Sequence, residues 1–157
     1  MKVYFYHTQD IQYILKQIKQ DAFPPHFLYG ATKFERHNVQ VVWHKSKLGL
    51  SRFRMILRTT WHILTCSEHF DAVYATHYQG LELIVFLRAL KLFRKPLIVW
   101  HHQPIIQSPS KARRLLAKLF YKGFDQLFFF SQKLVNDSIK TRLFPAHKMN
   151  VGHWGAD

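Results

Sequence analysis

The chain has 157 residues, enough for one ordinary globular domain, and a hydrophobic content of 48% with only 6 Gly and 6 Pro excludes a disordered or collagen-like protein. Its single cysteine, Cys66, excludes an intrachain disulfide and a thiolate zinc site, which favours a reducing, cytosolic environment. The 23 Lys and Arg against 9 Asp and Glu give a net charge of +14, which predicts an anionic partner: nucleic acid, anionic lipid head groups or phosphorylated small molecules.

Short runs of β-branched and aromatic residues alternate with segments of helical spacing along the chain. Strands are predicted at residues 2–6, 39–43, 72–76, 97–100, 126–130 and 149–151. Helices are predicted at residues 26–37, 50–65, 80–93, 111–121 and 133–143. This strict β-α alternation predicts an α/β fold, with one Rossmann-like parallel sheet flanked by helices on both faces.

Two segments and one serine carry further structural predictions. Residues 8–25 are the least regular part, where residues 10–21 fit a short helix that Pro24 and Pro25 would end, and we expect an enlarged loop over the functional edge of the sheet. Residues 80–93 are apolar nearly all round, which predicts a central helix. Ser131 is expected to cap the last helix.

Histidines follow most of the predicted strands. Six of the 11 stand at strand ends: His7, His44, His77, His101, His102 and His153. The carboxyl ends of parallel strands meet at one edge, which is where open α/β sheets bind ligands. Together they indicate a site whose imidazoles hydrogen-bond phosphate or sugar hydroxyls, although each one alone is equally explained as an ordinary polar loop residue.

Other chemistries are disfavoured by the residues present. His101 and His102 are adjacent in a strand and point to opposite faces, and the sequence has no HExxH motif, so no metal site is expected. Asp71 and Asp125 begin strands, at the opposite end from the predicted site, and no close carboxylate pair is evident. A GxSxG nucleophile elbow is also missing from the sequence.

Two predicted helices have basic faces. One basic face consists of Lys111, Arg114, Lys118 and Lys122, and the other consists of Lys47, Arg54 and Arg58. The opposite faces are predicted to pack on the core through Ala112, Leu115, Leu116 and Leu119 and through Phe53, Leu57, Trp61 and Leu64. A solvated surface is the simpler interpretation of the cations, and docking to anionic lipid head groups is the functional one. No segment reaches the ~20 apolar residues of a membrane span.

The order of motifs resembles the N-terminal half of a GT-B glycosyltransferase of family four. The chain begins with the strand MKVYFYH, and the helix HFLYGATKFERHN leads into the strand VQVVWH. Four later segments, FDAVYATHYQGL, KPLIVWHHQP, GFDQLFFFSQKL and HKMNVGHWGAD, are similar to four recurring blocks of that family in the same order. The resemblance covers nearly the whole chain.

This resemblance implies that residues 1–157 form one Rossmann-like acceptor-binding domain. A second, donor-binding domain is expected beyond Asp157, so this chain alone is expected to be inactive. The implied enzyme is a retaining glycosyltransferase of the hexosyltransferase type that moves a sugar from a nucleotide-sugar to a glycan or lipid-linked acceptor. The single cysteine and the basic helix faces favour a place in the cytoplasm, peripheral to the inner face of the membrane. The nucleotide-sugar is expected to serve as co-substrate, without a metal or other cofactor.

The resemblance also implies roles for single residues. The family's histidine after the fourth strand falls on His102, near the transferred sugar, with His101 as a poorer substitute. Ser131 and the segment from Gly155 to Asp157 match positions close to the interdomain cleft, beside the strand-end residues His7 and His77. The glycine-rich turn that many members have after the first strand is replaced here by HTQDIQYIL.

Two alternatives of other classes stay open. A nucleic-acid-binding module would suit the charge of +14 and the 4 Trp, 7 Tyr and 14 Phe. Most of these aromatic residues fall within predicted strands or apolar helix faces, and no RNP or zinc-finger signature occurs, which disfavours nucleic acid. The third class is a non-catalytic sugar- or lipid-binding domain of the same fold.

Overall fold

Six parallel strands form a single sheet. They are β1 (Lys2–Tyr6), β2 (Gln40–Trp43), β3 (Ala72–Ala75), β4 (Leu97–Trp100), β5 (Gln126–Phe129) and β6 (Met149–Val151), in the spatial order β2-β1-β3-β4-β5-β6. The computed structural model describes residues 1–46 and 49–152 of the chain. All five strand pairs are parallel, so the predicted α/β fold with a Rossmann-like sheet is confirmed.

Five α-helices and three 3₁₀ helices connect the strands. The α-helices are α1 (Ile11–Lys19), α2 (Arg52–Leu64), α3 (Glu82–Ala89), α4 (Lys111–Tyr121) and α5 (Gln132–Ile139), and the 3₁₀ helices are Pro25–Leu28, Ala31–His37 and Ala146–Lys148. The predicted helix at 111–121 has the same bounds as α4, and the other α-helices are shorter than predicted. Within the described residues, no helix is both long and apolar enough to cross a bilayer.

Two predictions about the segment between β1 and β2 are wrong. Residues 26–37 do not form one α-helix, because Tyr29 and Gly30 both adopt left-handed backbone conformations (φ 53° and 79°) that separate two 3₁₀ helices. The segment before them is not an enlarged loop, because the short helix predicted within residues 10–21 forms as α1 and packs on the sheet with Ile11 and Ile14 fully buried. Asp10 begins α1 by accepting hydrogen bonds from the backbone N–H groups of its first turn.

Helices cover both faces of the sheet because successive side chains of a strand point to opposite sides. Tyr4 and Tyr6 of β1 belong to the larger core, under α2 to α5. Phe5 between them belongs to a smaller core with Ile11 and Leu28, under α1 and the first two 3₁₀ helices. The predicted two-layer covering is therefore confirmed.

Helix α3 lies between α2 and α4, as its all-round apolar sequence predicts. Its own residues Ile84 and Val85 are completely buried. After α4 the chain passes so close to α3 that a Cβ at Gly123 would clash with the carbonyl oxygen of Val85. This close approach accounts for the glycine at the end of α4.

The prediction of which faces of α2 and α4 point toward the core is wrong. Thr59, Thr60 and Ile63 are the buried residues of α2, so the helix is rotated and its large apolar residues point outward. Exposed residues from the two faces predicted to be buried are Phe53, Leu57, Trp61, Leu64, Leu115 and Leu116. Helix α4 packs through Ala117, Phe120 and Tyr121 instead, which leaves Arg114 half-buried.

At the amino end of the sheet, Asp125 ties three elements together. Its carboxylate accepts hydrogen bonds from Nε and Nη2 of Arg88 on α3, at 3.0 and 2.7 Å, and from the backbone N–H of Leu97 on β4, at 2.8 Å. The side chain is only 28% exposed. A bidentate pair with so little solvent contributes more to stability than a surface pair does.

We expect Asp125→Ala to lower the free energy of unfolding by about 2 kcal/mol, since Arg88 and the Leu97 N–H would lose their acceptor in a half-buried place. Urea denaturation measures the difference. Asp137→Ala is the matched control, because its carboxylate pairs with Lys140 on the surface and its loss should leave stability nearly unchanged. Equal effects of the two substitutions would contradict the role given to Asp125.

Candidate functional site

The carboxyl ends of the strands bring the predicted histidines to one edge of the sheet. His7 follows β1 and His77 lies just beyond β3, while His101 and His102 directly follow β4. The order of the strands reverses between β1 and β3. After β1 the chain adds β2 on one side, and then it adds β3 to β6 on the other side. Open α/β sheets bind ligands at such a switch point.

His7, His77 and His102 form a row of rings across this edge. The rings of His77 and His102 stack, with centroids 3.9 Å apart and planes 12° from parallel. His7 stands edge-on to His77 at 6.2 Å, and Phe130 stands edge-on to His102 at 4.9 Å. We call His7, His77 and His102 the histidine row.

The hydrogen bonds of His102 define its protonation pattern. Its Nε2 lies 2.8 Å from the carbonyl oxygen of Thr76, which only accepts, so Nε2 carries the proton and donates it. The hydroxyl oxygen of Tyr29 lies 3.4 Å from the same nitrogen. In the neutral ring, Nδ1 is therefore the acceptor, and it becomes a donor when the ring is protonated.

His101 points to the opposite face and uses both nitrogens inside the protein. Nδ1 donates to the carbonyl oxygen of Gln103 at 2.6 Å, and Nε2 accepts from the hydroxyl of Tyr121 at 3.2 Å. The ring stacks on Tyr78 and is only 5% exposed. These contacts fit a residue that fixes the loop after β4, and they separate His101 from the histidine row.

His44 also ends its strand but belongs to the core. Its Nδ1 and the hydroxyl of Tyr4 share a hydrogen bond of 2.7 Å, and its ring contacts Tyr4, Tyr6 and His62. Of the predicted strand-end histidines, His153 lies outside the described residues, as do Gly155, Asp157 and Lys47. Ser131 follows β5 and its Oγ accepts from Leu134 N–H at 3.4 Å, which confirms the predicted helix cap.

Tyr29 is a site residue that the sequence interpretation missed. Its ring contacts both His7 and His102, and its backbone carbonyl accepts from the hydroxyl of Tyr74 at 3.0 Å. Tyr74 in turn accepts from Nε1 of Trp100 at 2.6 Å. The sequence signal was the glycine after Tyr29, which interrupts a predicted helix just as a left-handed turn requires.

Burial keeps two members of the histidine row, His7 and His77, uncharged at neutral pH. Burial, with the nearby His102 as a second cause, lowers the pKa of His7 to about 4. Burial lowers the pKa of His77 to about 4 too, helped by His102 and His7. At neutral pH these rings are therefore neutral hydrogen-bonding groups in a chain of charge +14.

A pocket of about 230 Å³ opens beside the histidine row. It is lined by His77, Tyr78, Gln79, Trp100, His101, His102 and Gln103. Two larger grooves, of about 590 and 510 Å³, lie between α1 and the second 3₁₀ helix and between the ends of α4 and α5. Their described lining includes no histidine, so the smaller pocket is the better candidate for polar chemistry.

The donor set around the pocket suits hydrogen bonding more than metal coordination. Among residues 1–46 and 49–152, no three or more His, Cys, Asp or Glu side chains are grouped to hold a metal ion. The Thr76 hydroxyl is completely buried beside the row and has no hydrogen-bond partner within this part of the chain. Imidazole, amide and phenol groups remain, which recognise hydroxyl and phosphate oxygens.

Comparison with known proteins supports the fold. No protein-family model and no curated protein matches the chain. The chain is similar to the crystal structure of Anabaena Alr3699/HepE in complex with UDP and glucose, with a TM-score of 0.51 and 17% identity over 100% of this chain. It spans 45% of that protein's length. At this identity the likeness shows the fold, a Rossmann-like domain that matches about half of a GT-B enzyme.

The buried histidines predict loss of stability in mild acid. His7 and His44 have pKa values lowered from 6.5 to about 4, so between these pH values the unfolded chain binds protons that the folded chain excludes. We expect the free energy of unfolding to fall by about 1–2 kcal/mol per buried histidine between pH 7 and pH 5. Urea denaturation at both pH values measures this fall, and equal stabilities would show that the rings are not held neutral.

Proposed function

We propose that this chain is the acceptor-binding domain of a retaining GT-B glycosyltransferase, of the hexosyltransferase type and similar to family four. The enzyme would transfer a sugar from a nucleotide-sugar to a glycan or lipid-linked acceptor. The observation that carries the proposal is the histidine row at the switch point of the sheet, where His102 stacks on His77 beside a pocket. His7 completes the row on the far side of the switch point.

The chemistry of the pocket suits a sugar substrate. Its described lining contains amide, phenol, indole and imidazole groups and no carboxylate. A glycosidase needs two carboxyl groups at the cleaved bond, whereas Asp125 stands at the opposite end of the sheet. Neutral imidazoles present one donor and one acceptor each, which matches the hydroxyl groups of a sugar.

His102 has the position and the hydrogen bonding for a role near the transferred sugar. With Nε2–H committed to Thr76, its Nδ1 is the nitrogen that can accept a proton or hydrogen bond from a substrate hydroxyl. Once protonated, the same nitrogen donates to an oxygen that gains negative charge as the leaving group departs. His101 has neither nitrogen available for this, because both are engaged by Gln103 and Tyr121.

A partner domain belongs to the proposal. Alr3699/HepE, which was crystallised with UDP and glucose, is more than twice as long as the matched chain. We expect a second, donor-binding domain to face the histidine row, with Ser131, Gly155 and Asp157 near the cleft between the two. Because transfer needs donor and acceptor held together, residues 1–157 alone should not transfer sugar.

The nucleic-acid alternative is disfavoured by where the aromatic residues lie. Binding of a single strand needs a series of exposed rings beside Lys and Arg, whereas among the described residues only Tyr13, Phe53 and Trp61 are exposed aromatic side chains. A non-catalytic sugar-binding domain would use the same pocket. The transfer experiment below distinguishes it from an enzyme, because a non-catalytic domain supports no transfer.

The membrane part of the proposal rests on the cations of two helices. Arg54, Arg58, Lys111, Lys118 and Lys122 are exposed, and Arg114 is half-buried. α2 and α4 flank α3 on the same face of the sheet. Docking of this face to the anionic inner surface of a membrane would bring the domain to a lipid-linked acceptor, at about 1 kcal/mol per cation.

We expect His102→Ala to lower the turnover number about 100-fold or more, because it removes a group that acts mainly in the transition state. The measurement is sugar transfer from UDP-glucose by the protein that joins this domain to its donor-binding partner. His101→Ala is the matched control: it should lower the unfolding temperature by loosening the loop after β4 and should reduce turnover less. A greater loss of turnover in His101→Ala would reverse the assignment.

For the membrane part, we expect reversal of Lys111, Lys118 and Lys122 to Glu to abolish binding to vesicles that contain phosphatidylglycerol. All three lysines are exposed, so the fold should be unaffected. The attraction is screened over about 8 Å at physiological ionic strength, so wild-type binding should also weaken as salt is added. Undiminished vesicle binding by the reversed protein would remove the role of α4.

A further inference from the structure

Helix α2 presents a row of large apolar side chains to solvent. Phe53, Leu57, Trp61 and Leu64 are 70%, 47%, 68% and 54% exposed. At about 100° per residue, the four fall within roughly 80° of the helix circumference and extend about 17 Å along its axis. We call these four residues the α2 ridge.

The core does not require the ridge. The side of α2 that faces the sheet is occupied by Thr59, Thr60 and Ile63, which are 2%, 6% and 2% exposed. Single apolar residues are common on protein surfaces, but a contiguous row of large ones marks a site of interaction. The ridge therefore needs a partner that offers it an apolar environment.

The charges beside the ridge identify the kind of partner. Arg54 and Arg58 follow the ridge on the helix circumference, and neither forms an ion pair with a described residue. Glu82 of α3, which lies at the start of α2, is paired with Arg52. An apolar row bordered by arginines, in a chain of charge +14, fits a surface that is apolar inside and anionic outside.

We propose that the α2 ridge inserts into the interfacial region of an anionic lipid bilayer. Trp61 and Phe53 would lie at the boundary between head groups and acyl chains, where aromatic rings are favoured, and Arg54 and Arg58 would contact lipid phosphates. The inference rests on the membrane part of the proposed function and adds to it an apolar anchor with named side chains. An interfacial helix of this kind lies parallel to the bilayer, with its apolar face about 5–10 Å deep.

A second copy of this chain fits the ridge less well than a bilayer does. Two ridges packed against each other would bring Arg54 and Arg58 of both copies together, and like charges at an interface oppose association. A bilayer with anionic lipids meets the apolar and the charged requirement at once.

The test compares vesicle binding by residues 1–157 and by variants. Vesicles contain phosphatidylcholine and phosphatidylglycerol in equal parts, with brominated acyl chains that quench a nearby tryptophan. The variant Phe53→Ser/Leu57→Ser/Trp61→Ser/Leu64→Ser should bind at least ~100-fold more weakly, because each lost side chain removes about a factor of ten. Trp61→Phe should still bind but should lose most of the bromine quenching.

The matched control is Leu92→Ser/Ile106→Ser, which removes two apolar side chains that are 71% and 75% exposed but lie off α2. It should bind as the wild type does. Serine is a poorer helix former than leucine, so the ridge variant should unfold at a lower temperature than the wild type, but circular dichroism should show every variant folded at the temperature of the binding assay. If the ridge variant binds normally while the lysine-reversed α4 protein does not, the ridge inference is overturned and the membrane part of the proposed function stands.

Three further results would also test the ridge inference. Failure of the wild type to bind any vesicle overturns the ridge and the membrane part together. Equal bromine quenching of wild type and Trp61→Phe places Trp61 outside the bilayer and overturns the inference. Concentration-dependent self-association that the ridge variant loses, without vesicle binding, makes the ridge a protein interface. The glycosyltransferase part is judged separately, by the His102 experiment.

Discussion

The parallel pairing of β3 with β1 and β4 is the constraint on which the site depends. Tyr6 pairs with Ala75 and Ala75 with Val99, so the three strands end almost level and the next residues of each chain segment share one edge. The carbonyl of Thr76, one residue past β3, is thereby placed to accept from His102 beyond β4. A shift of one residue in either pairing would turn the strand side chains to the wrong faces and remove this contact.

The smaller core supports that edge of the sheet. The position of Tyr29 beside the histidine row is stabilised by Tyr74, whose hydroxyl donates to the Tyr29 carbonyl and accepts from Nε1 of Trp100. Gly152 permits this arrangement, because a Cβ there would clash with the Trp100 ring. The site is thus supported by aromatic residues of β3 and β4 on one face and by the bonds of His101 on the other, so that its geometry is set before any ligand arrives.

The sequence was sufficient for the sheet and for the histidines at its edge, because strand patterns and strand-end residues are local features and parallel topology places them together. The sequence was insufficient where the backbone conformation or the buried side of a helix depended on packing between elements. Residues 26–37 have helical spacing, yet Gly30 and the preceding tyrosine turn left-handed and bring Tyr29 to the site. In α2 the helical spacing of the largest apolar residues predicted that they face the core, but Thr59, Thr60 and Ile63 occupy the side that packs on the sheet.

The rotation of α2 has a consequence for orientation. A helix that follows a strand in a parallel sheet begins at the carboxyl edge, so the first turns of α2 stand next to the histidine row; Met55 and Arg58 line a small cavity together with His7 and His44. Phe53, at the start of the ridge, is therefore close to the site, and the helix measures only about 20 Å from end to end. A bilayer that holds the ridge would keep the pocket beside His102 within a short distance of its surface. Under the proposed function and the ridge inference together, a lipid-linked acceptor would enter the pocket without leaving the membrane, which gives one physical reason for an apolar row that folding does not need.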